Sequence, residues 1–339
     1  MKQQNPKIKV GFSSGDMNGV GTEILLTSLA DKKIPGNLIT IIYAPLDNLK
    51  YTSNHLGLKL EFNLINSPEN SKINKINVID SFRKFANVNF GNIDKEMGQT
   101  AFESIRRSVK DLNDKKIDVL VTPPINKRAI HSDVFPFMGH TDYINSKVKG
   151  KATMMMVSDE LKVALLTEHI PIEKVAATIT KELIHDKIKG IHETLVRDFQ
   201  IKNPKIAILS IDPHAGDEGV ISKNDQRIMT PAIKVLTEKG LLVYGPFPSD
   251  SFFGSREYKK YDITVASFHD QGLIPFKTLS FGQGVNYTSG LERIRTSPDH
   301  GTAFSIAGKG QASNKSLIAS IFLAIKIFQK RNFFELIKK

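Results

Sequence analysis

Three of the nine histidines occupy the same position relative to three apolar runs. His169 follows the run in VALLTEHIP, His214 follows IAILSI in IAILSIDPHAG, and His269 follows ITVASF in ITVASFHDQG. Neutral imidazole is a common ligand for Zn²⁺ and related divalent ions, and three of them leave open positions for water or substrate. Glu168, Asp212 and Asp270 stand beside these histidines, where a carboxylate can orient an imidazole through its second nitrogen. A single histidine at a strand end is an ordinary satisfied cap. Three in the same place leave two readings side by side, a shared metal site and three separate caps.

Other segments offer polar contacts or anion binding. In FMGHTDY, Gly139 permits close backbone approach and His140 and Thr141 are polar; Thr141 also reads as the N-cap of a helix beginning at Asp142. The Gly-rich stretch Ser13–Gly21 (SSGDMNGVG) follows the first apolar run and precedes a helical pattern. Its spacing is neither G-x-G-x-x-G nor G-x-x-x-x-G-K-[ST], so a tight turn that needs glycine is favoured over a phosphate cradle. Lys277, Asn286 and Arg295 lie in the Gly-rich segment Lys277–Arg295, and suit a phosphate or carboxylate. The segment Thr296–Gly310 reads as an ordered functional loop around Asp299 and His300, which are either an acid–base pair or turn-formers.

These residues need a scaffold, and the runs before them supply one. Lys9–Phe12, Leu38–Tyr43, Val119–Thr122, Val163–Thr167, Ile206–Ile211 and Ile263–Phe268 are short, apolar and rich in β-branched residues, and each ends abruptly. They are predicted as buried strands. Helical patterns at Glu23–Leu29, Gln99–Leu112, Lys181–Phe199 and Asp225–Lys239 fall between them. Strand alternating with helix predicts an α/β architecture with a largely parallel sheet, whose ligands bind beyond the carboxyl ends of the strands. The Asn/Lys-rich stretch Asn63–Asn77 reads as a linker-like surface excursion.

Composition narrows the classes. The 339 residues include no cysteine, which excludes disulfides, a thiolate nucleophile and Cys-ligated metal. Lys+Arg 47 against Asp+Glu 35 gives +12, but the basic residues are spread along the chain, as in KKIPGN and NKINKIN, without an arginine-rich tract or interleaved aromatics. A solvated lysine-rich surface, or an anionic small substrate, explains that charge better than a nucleic acid. The opening MKQQNPKIKVGF lacks a signal-peptide core, and Leu317–Phe328 is shorter than the about 20 apolar residues a membrane span takes. A cytoplasmic protein with neither nucleic acid nor membrane as partner is expected.

Read together, the segments GDMNGVGTEI, TPPINK, GHTDYI, MMMVSDELKVALLTEHIPI, DPHAGDEG, GPFPSDSFF, HDQGLIPFK, SFGQGVN and IRTSPDHGTAFSIAGKG make the chain resemble the 4-hydroxythreonine-4-phosphate dehydrogenase family of vitamin B6 biosynthesis. The likeness runs in family order from about residue 10 to about residue 330; HDQGLIPFK and RTSPDHGTA are its most specific parts.

The resemblance implies a two-domain α/β fold like that of isocitrate and isopropylmalate dehydrogenases, with mainly parallel sheets and a cleft between domains. One discontinuous domain from 1–140 and 285–339 and a central domain from 141–284 are expected. It also implies His169, His214 and His269 as ligands of a divalent metal (Zn, Mg or Co), and His140, Thr141, Lys277, Asn286 and Arg295 as substrate contacts. The loop with Asp299, His300, Gly301 and Ala303 is similar to the adenine-side loop for NAD (or NADP) of that wider group. Asp270 and Lys277 are the candidate proton acceptors. A homodimer with the active site shared between subunits is implied as well. The implied reaction is oxidation of 4-phosphohydroxy-L-threonine followed by decarboxylation; the alternative is a paralogue acting on erythronate or threonate 4-phosphate. This chain departs from the family pattern at Asp212–Gly219 (DPHAGDEG), where extra carboxylates replace the usual N-P-H-A-G-E-G-G, at Met17-Asn18 and at Glu292-Arg293. None of these removes a proposed ligand.

Overall fold

The computed structural model describes residues 7–31, 34, 38–80, 82 and 87–337. The polar opening at 1–6 and five of the six residues of KKIPGN at 32–37 lie outside them. The described residues divide into two compact units, one drawn from 1–150 and 291–328, the other from 151–290 and 329–339.

The first unit runs β1 (Ile8–Ser13), α1 (Val20–Ala30), β2 (Leu38–Tyr43), α2 (Leu46–His55), β3 (Phe62–Ile65), β4 (Ile76–Ile79), α3 (Lys95–Asn113), β5 (Val119–Val121), α4 (Lys127–Ile130) and α5 (His140–Lys147). The second follows with β6 (Gly150–Val157), β7 (Lys162–Leu165), α6 (Ile172–Thr178), α7 (Lys181–Phe199), β8 (Lys205–Leu209), α8 (Thr230–Glu238), β9 (Leu242–Phe247), α9 (Ser249–Gly254), β10 (Ile263–Ala266), α10 (His269–Ser280) and β11 (Val285–Leu291). The first resumes with β12 (Ile294–Pro298) and most of α11 (Lys315–Ile337).

All six predicted strands form. Those of the first unit lie in the order β3-β4-β2-β1-β5-β12, paired in parallel. Ile41, Ile42 and Val10 are fully buried, as strands covered on both faces by crossover helices require. Each such side chain contributes about 1.5–3 kcal/mol by leaving water. In the second unit the order is β11-β6-β7-β10-β8-β9, with β6 antiparallel to β7 and the β7-β10-β8-β9 run parallel. Its core gathers Val163, Leu165, Ala207, Leu209, Ala266 and Phe276.

Several expectations need correction. Asn63–Asn77 is not a surface excursion: most of β3 and the start of β4 lie in it. The buried Asn77 amide donates to the Thr40, Lys72 and Lys75 carbonyls and accepts from Asn63 Nδ2 and the Lys72 N–H. A side chain that satisfies so many partners lets a polar sequence enter a sheet. Where the sequence divides at 140 and 285, the compact units divide at 150 and 290. Tyr143 of α5 packs on Phe102 and Phe135 of the first unit, at ring-centroid distances of 5.8 and 5.6 Å. At the C-terminus, Arg331 forks onto the buried Asp198 of the second unit at 2.6 and 3.0 Å. Among the described residues no helix is long and apolar enough to cross a membrane.

Candidate active site

In the second unit β7, β10 and β8 are adjacent and parallel, so the segments leaving their carboxyl ends emerge on one side. His169 lies on the loop after β7 and His269 is the first residue of α10, directly after β10. Their ring centroids are 5.7 Å apart with a 42° tilt. With metal–nitrogen bonds of about 2.0–2.1 Å, two imidazoles on one ion place their ring centres roughly 5–6 Å apart, so the pair fits a divalent cation. His269 Nδ1 is 2.7 Å from Asp270 Oδ1, which leaves Nε2 available as the ligand atom. Asp270 thus takes the orienting role expected of a neighbouring acid. Glu168 instead accepts from the Met154 N–H and Lys187 Nζ, and Asp212 from Asn224 Nδ2.

His214 is carried differently. Five successive residues, His214, Ala215, Gly216, Asp217 and Glu218, have positive φ of 52, 53, 81, 46 and 52°. That is the left-handed region, which only Gly216 among them enters freely. A Cβ at Gly216 would stand 2.3 Å from the Ser222 carbonyl. Asp225, in a π-turn at Asp225–Met229, anchors the approach to this loop by accepting from the Ile211 and Asp212 N–H groups at 2.9 and 3.1 Å. Among the described residues no three His, Asp or Glu side chains group closely enough to hold a metal ion. One chain therefore brings together His169 and His269, and not the full trio.

Lys277 is exposed on α10 and Asn286 lies on β11, its buried Oδ1 without a hydrogen-bond partner. The remaining substrate candidates belong to the first unit. Arg295 on β12 is 2% exposed, and its Nε and Nη2 donate to Thr122 Oγ1 at 2.8 and 2.6 Å. Thr122 follows β5, whose register with β12 places it beside this strand, and its carbonyl accepts from Ser297 Oγ. Burial pushes the Arg295 guanidinium down to about 9. His140 is 8% exposed, and its Nε2 is buried without a hydrogen-bond partner. Burial, with the Arg295 charge adding to it, holds His140 well below the usual histidine range, so the ring is neutral. Thr141 does not cap the helix. Gly139, with extended backbone, is the cap residue and α5 begins at His140, two residues earlier than the sequence suggests.

The Asp299–Ala303 loop is ordered by its neighbours. Thr296–Pro298, read as part of that loop, complete β12 instead. The Asp299 N–H donates to Ser316 Oγ, His300 Nδ1 lies 3.1 Å from the Gly301 carbonyl, and Ala303 has φ 42°. His300 Nε2 is buried without a partner, as is Asp16 Oδ2 in the Gly-rich turn after β1. Burial raises the Asp16 carboxyl to about 6. The Val20 N–H donates to the Thr302 carbonyl, and Glu23 accepts from the Gly308 and Ala312 N–H groups. The glycines of SSGDMNGVG serve the tight turn: Gly15 has φ 67°, and a Cβ at Gly19 would meet Thr302 at 2.8 Å. Thr122, Asp225, Gln271, Glu23 and Asp16 escaped the sequence reading as site residues. Each sat inside a segment already singled out: Gln271 in HDQGLIPFK, Thr122 opening TPPINK, Asp16 and Glu23 in GDMNGVGTEI, and Asp225 at the start of a helical pattern.

A model of the family described as pyridoxal phosphate biosynthetic protein PdxA matches residues 38–324. The 4-hydroxythreonine-4-phosphate dehydrogenase of Bacteroides thetaiotaomicron is 41% identical over 327 residues, 96% of this chain and 90% of that one. The D-threonate 4-phosphate dehydrogenase of Cupriavidus necator is 34% identical over 327 residues, 95% of this chain and 98% of that one. The crystal structure of 4-hydroxythreonine-4-phosphate dehydrogenase from Klebsiella pneumoniae matches at a TM-score of 0.83 with 31% identity, covering 96% of this chain and 100% of that chain.

Proposed function

This chain belongs to the PdxA family and is an oxidoreductase with the isocitrate/isopropylmalate dehydrogenase-like fold of that family's structures, and from that premise we propose that it oxidises 4-phosphohydroxy-L-threonine with NAD⁺. Membership implies a nicotinamide cofactor and a metal in general. The observation that carries the reading is the His169–His269 pair, with Asp270 fixing one ring, where the segments after two adjacent parallel strands emerge.

A divalent cation held there by His169 and His269 would supply Lewis-acid polarisation of the substrate's hydroxyl. The chain's own residues do the rest. Arg295, held by Thr122, presents a fixed cation to the substrate's phosphate or carboxylate, and the neutral His140 and Thr141 add uncharged hydrogen-bonding groups beside it. Lys277 and Asn286 complete the substrate contacts. A nicotinamide bound to the chain would accept the carbinol hydrogen as hydride, and Asp270 or Lys277 would take up the hydroxyl proton. The product, a β-keto acid, loses CO₂ to give 3-amino-2-oxopropyl phosphate. Because Asp270 is bonded to His269, its replacement disturbs metal binding as well as proton transfer, whereas replacement of Lys277 spares the metal. Asp299, His300, Gly301 and Ala303 would hold the cofactor.

Two observations support a homodimer with a shared site. No trio of ligands converges within the described residues of one chain. Each candidate ligand also has large exposed apolar neighbours: Ile172 after His169, Val220 (83% exposed) and Ile221 after His214, and Ile274 and Phe281 (87% exposed) on and after the helix that His269 begins. Such a face is covered when a second copy packs on it.

A second reading has the D-threonate relative behind it: the same apparatus acting on threonate or erythronate 4-phosphate. NADH formation at 340 nm with each of the three substrates, with Zn²⁺, Mg²⁺ or Co²⁺ and an EDTA control, separates them. Preference for the amino acid, lost on chelation, is the expected result. Turnover of the sugar acids alone selects the second reading, and no turnover with any of them overturns both.

A further inference from the structure

Past the ends of β7, β10 and β8, hydrogen bonding between the segments continues through backbone and side chains together. The Thr167 N–H and Oγ1 both donate to the Ser267 carbonyl, at 3.2 and 2.7 Å. Ser267 Oγ donates to the Leu209 carbonyl at 3.1 Å. Gln271, in the first turn of α10, closes the arrangement: its Oε1 accepts from the Ser267 N–H at 2.6 Å, and its Nε2 donates to the Ser210 carbonyl and to Ser249 Oγ, both at 2.7 Å. One amide therefore uses its oxygen and both of its N–H groups to join the exit of β10, the exit of β8 and the start of α9.

The positions matter. Thr167 and Ser267 each precede a candidate ligand, His169 and His269, by two residues, and Ser210 precedes His214 by four. Thr167, Ser210 and Ser267 are all buried, so water cannot replace these bonds. Resting on the metal reading given above, we propose that Gln271 is a positioning residue that sets the separation of the ligand-bearing strand exits, and that Ser249 is a dispensable outer limb of the same network.

Co²⁺ titrated into the full-length protein tests this, read by calorimetry and by the visible absorption of the bound ion. Gln271→Glu keeps the shape but puts one acceptor oxygen in place of the NH2 group, facing the Ser210 carbonyl; Gln271→Met removes all three bonds. The expected loss of Co²⁺ affinity is about 10–100-fold with an altered absorption band, while Ser249→Ala changes affinity less than threefold. A residue with only a structural role lowers the unfolding temperature and leaves the affinity and spectrum of the folded protein unmoved. A folded Gln271→Glu or Gln271→Met with affinity within twofold of the parent therefore overturns the proposal. His269→Ala is the reference: if it too retains the affinity, the metal reading falls and this proposal with it, and if it loses the affinity while the Gln271 variants keep it, only this proposal falls.

Discussion

The two groups of candidate residues, one in each unit, are built on opposite plans. In the first unit, Arg295 is buried, forked onto Thr122 and set beside a buried neutral His140. In the second unit, His169 is exposed and His269 partly so, their rings 5.7 Å apart on the segments that follow β7 and β10. The buried half is preorganised by its own chain, which carries the desolvation of a guanidinium before any substrate arrives. The exposed half presents donors outward, to be completed by what binds. Function and folding are thus coupled in one half and separable in the other.

Three substitutions sharpen or break that contrast. The largest effect is expected from His269→Ala: metal-dependent turnover should fall by about 10²–10³-fold, the loss seen when a group stabilising developing charge is removed. Because the ring is partly exposed, the unfolding midpoint should move by under about 2 °C in calorimetry. A large drop in midpoint would mean that this half, too, is part of the fold's support. Arg295→Lys should lower kcat/KM for the phosphorylated substrate by roughly 10–100-fold, since an ammonium cannot fork onto Thr122 and an anion together. Here stability should fall as well, by about 1–3 kcal/mol in urea denaturation; activity lost without stability would erase the contrast. The smallest effect is a pH slope. His140 titrates below its unfolded value near 6.5, so the unfolded chain takes up a proton that the folded one refuses, and stability falls as pH drops below about 6.5. The contribution is at most about 1.4 kcal/mol per pH unit. Urea midpoints at pH 7.5 and 5.5 should show a steeper acid loss in the parent than in His140→Asn. Equal slopes would place the ring in contact with water.

The same contrast explains what could be read from residue order. Runs such as LITIIY and ITVASF announce buried parallel strands, because both faces are apolar and a polar or Gly/Pro residue ends each. β3 and β4 stayed hidden: their asparagines look like a loop until Asn77 is seen to satisfy its amide inside the sheet. The histidines stood out as candidates by position alone, and of the three the structure brings His169 and His269 together. Asp225 and Gln271 did not stand out, since they act on backbone N–H and C=O groups of segments distant in sequence, and no pattern of residue types marks such a bond. Thr122 was visible only as the end of a predicted strand and the start of TPPINK; its value to Arg295 comes from the β5–β12 register.

The left-handed turn at His214–Glu218 has a consequence for the residues that can occupy it. An L-residue held in that hand costs about 1–2 kcal/mol, and four of the five are not glycine. Several kcal/mol of conformational free energy is thus wound into the segment from which His214 projects, offset by the surrounding bonds. The ordinary rule of helices and strands, where glycine weakens the fold, is inverted here. At Ala215, Asp217 and Glu218 glycine is the relaxed choice, and β-branched residues are the ones the backbone shuts out. The stretch of chain that carries a candidate ligand is also the one whose winding runs against the chirality of its own building blocks.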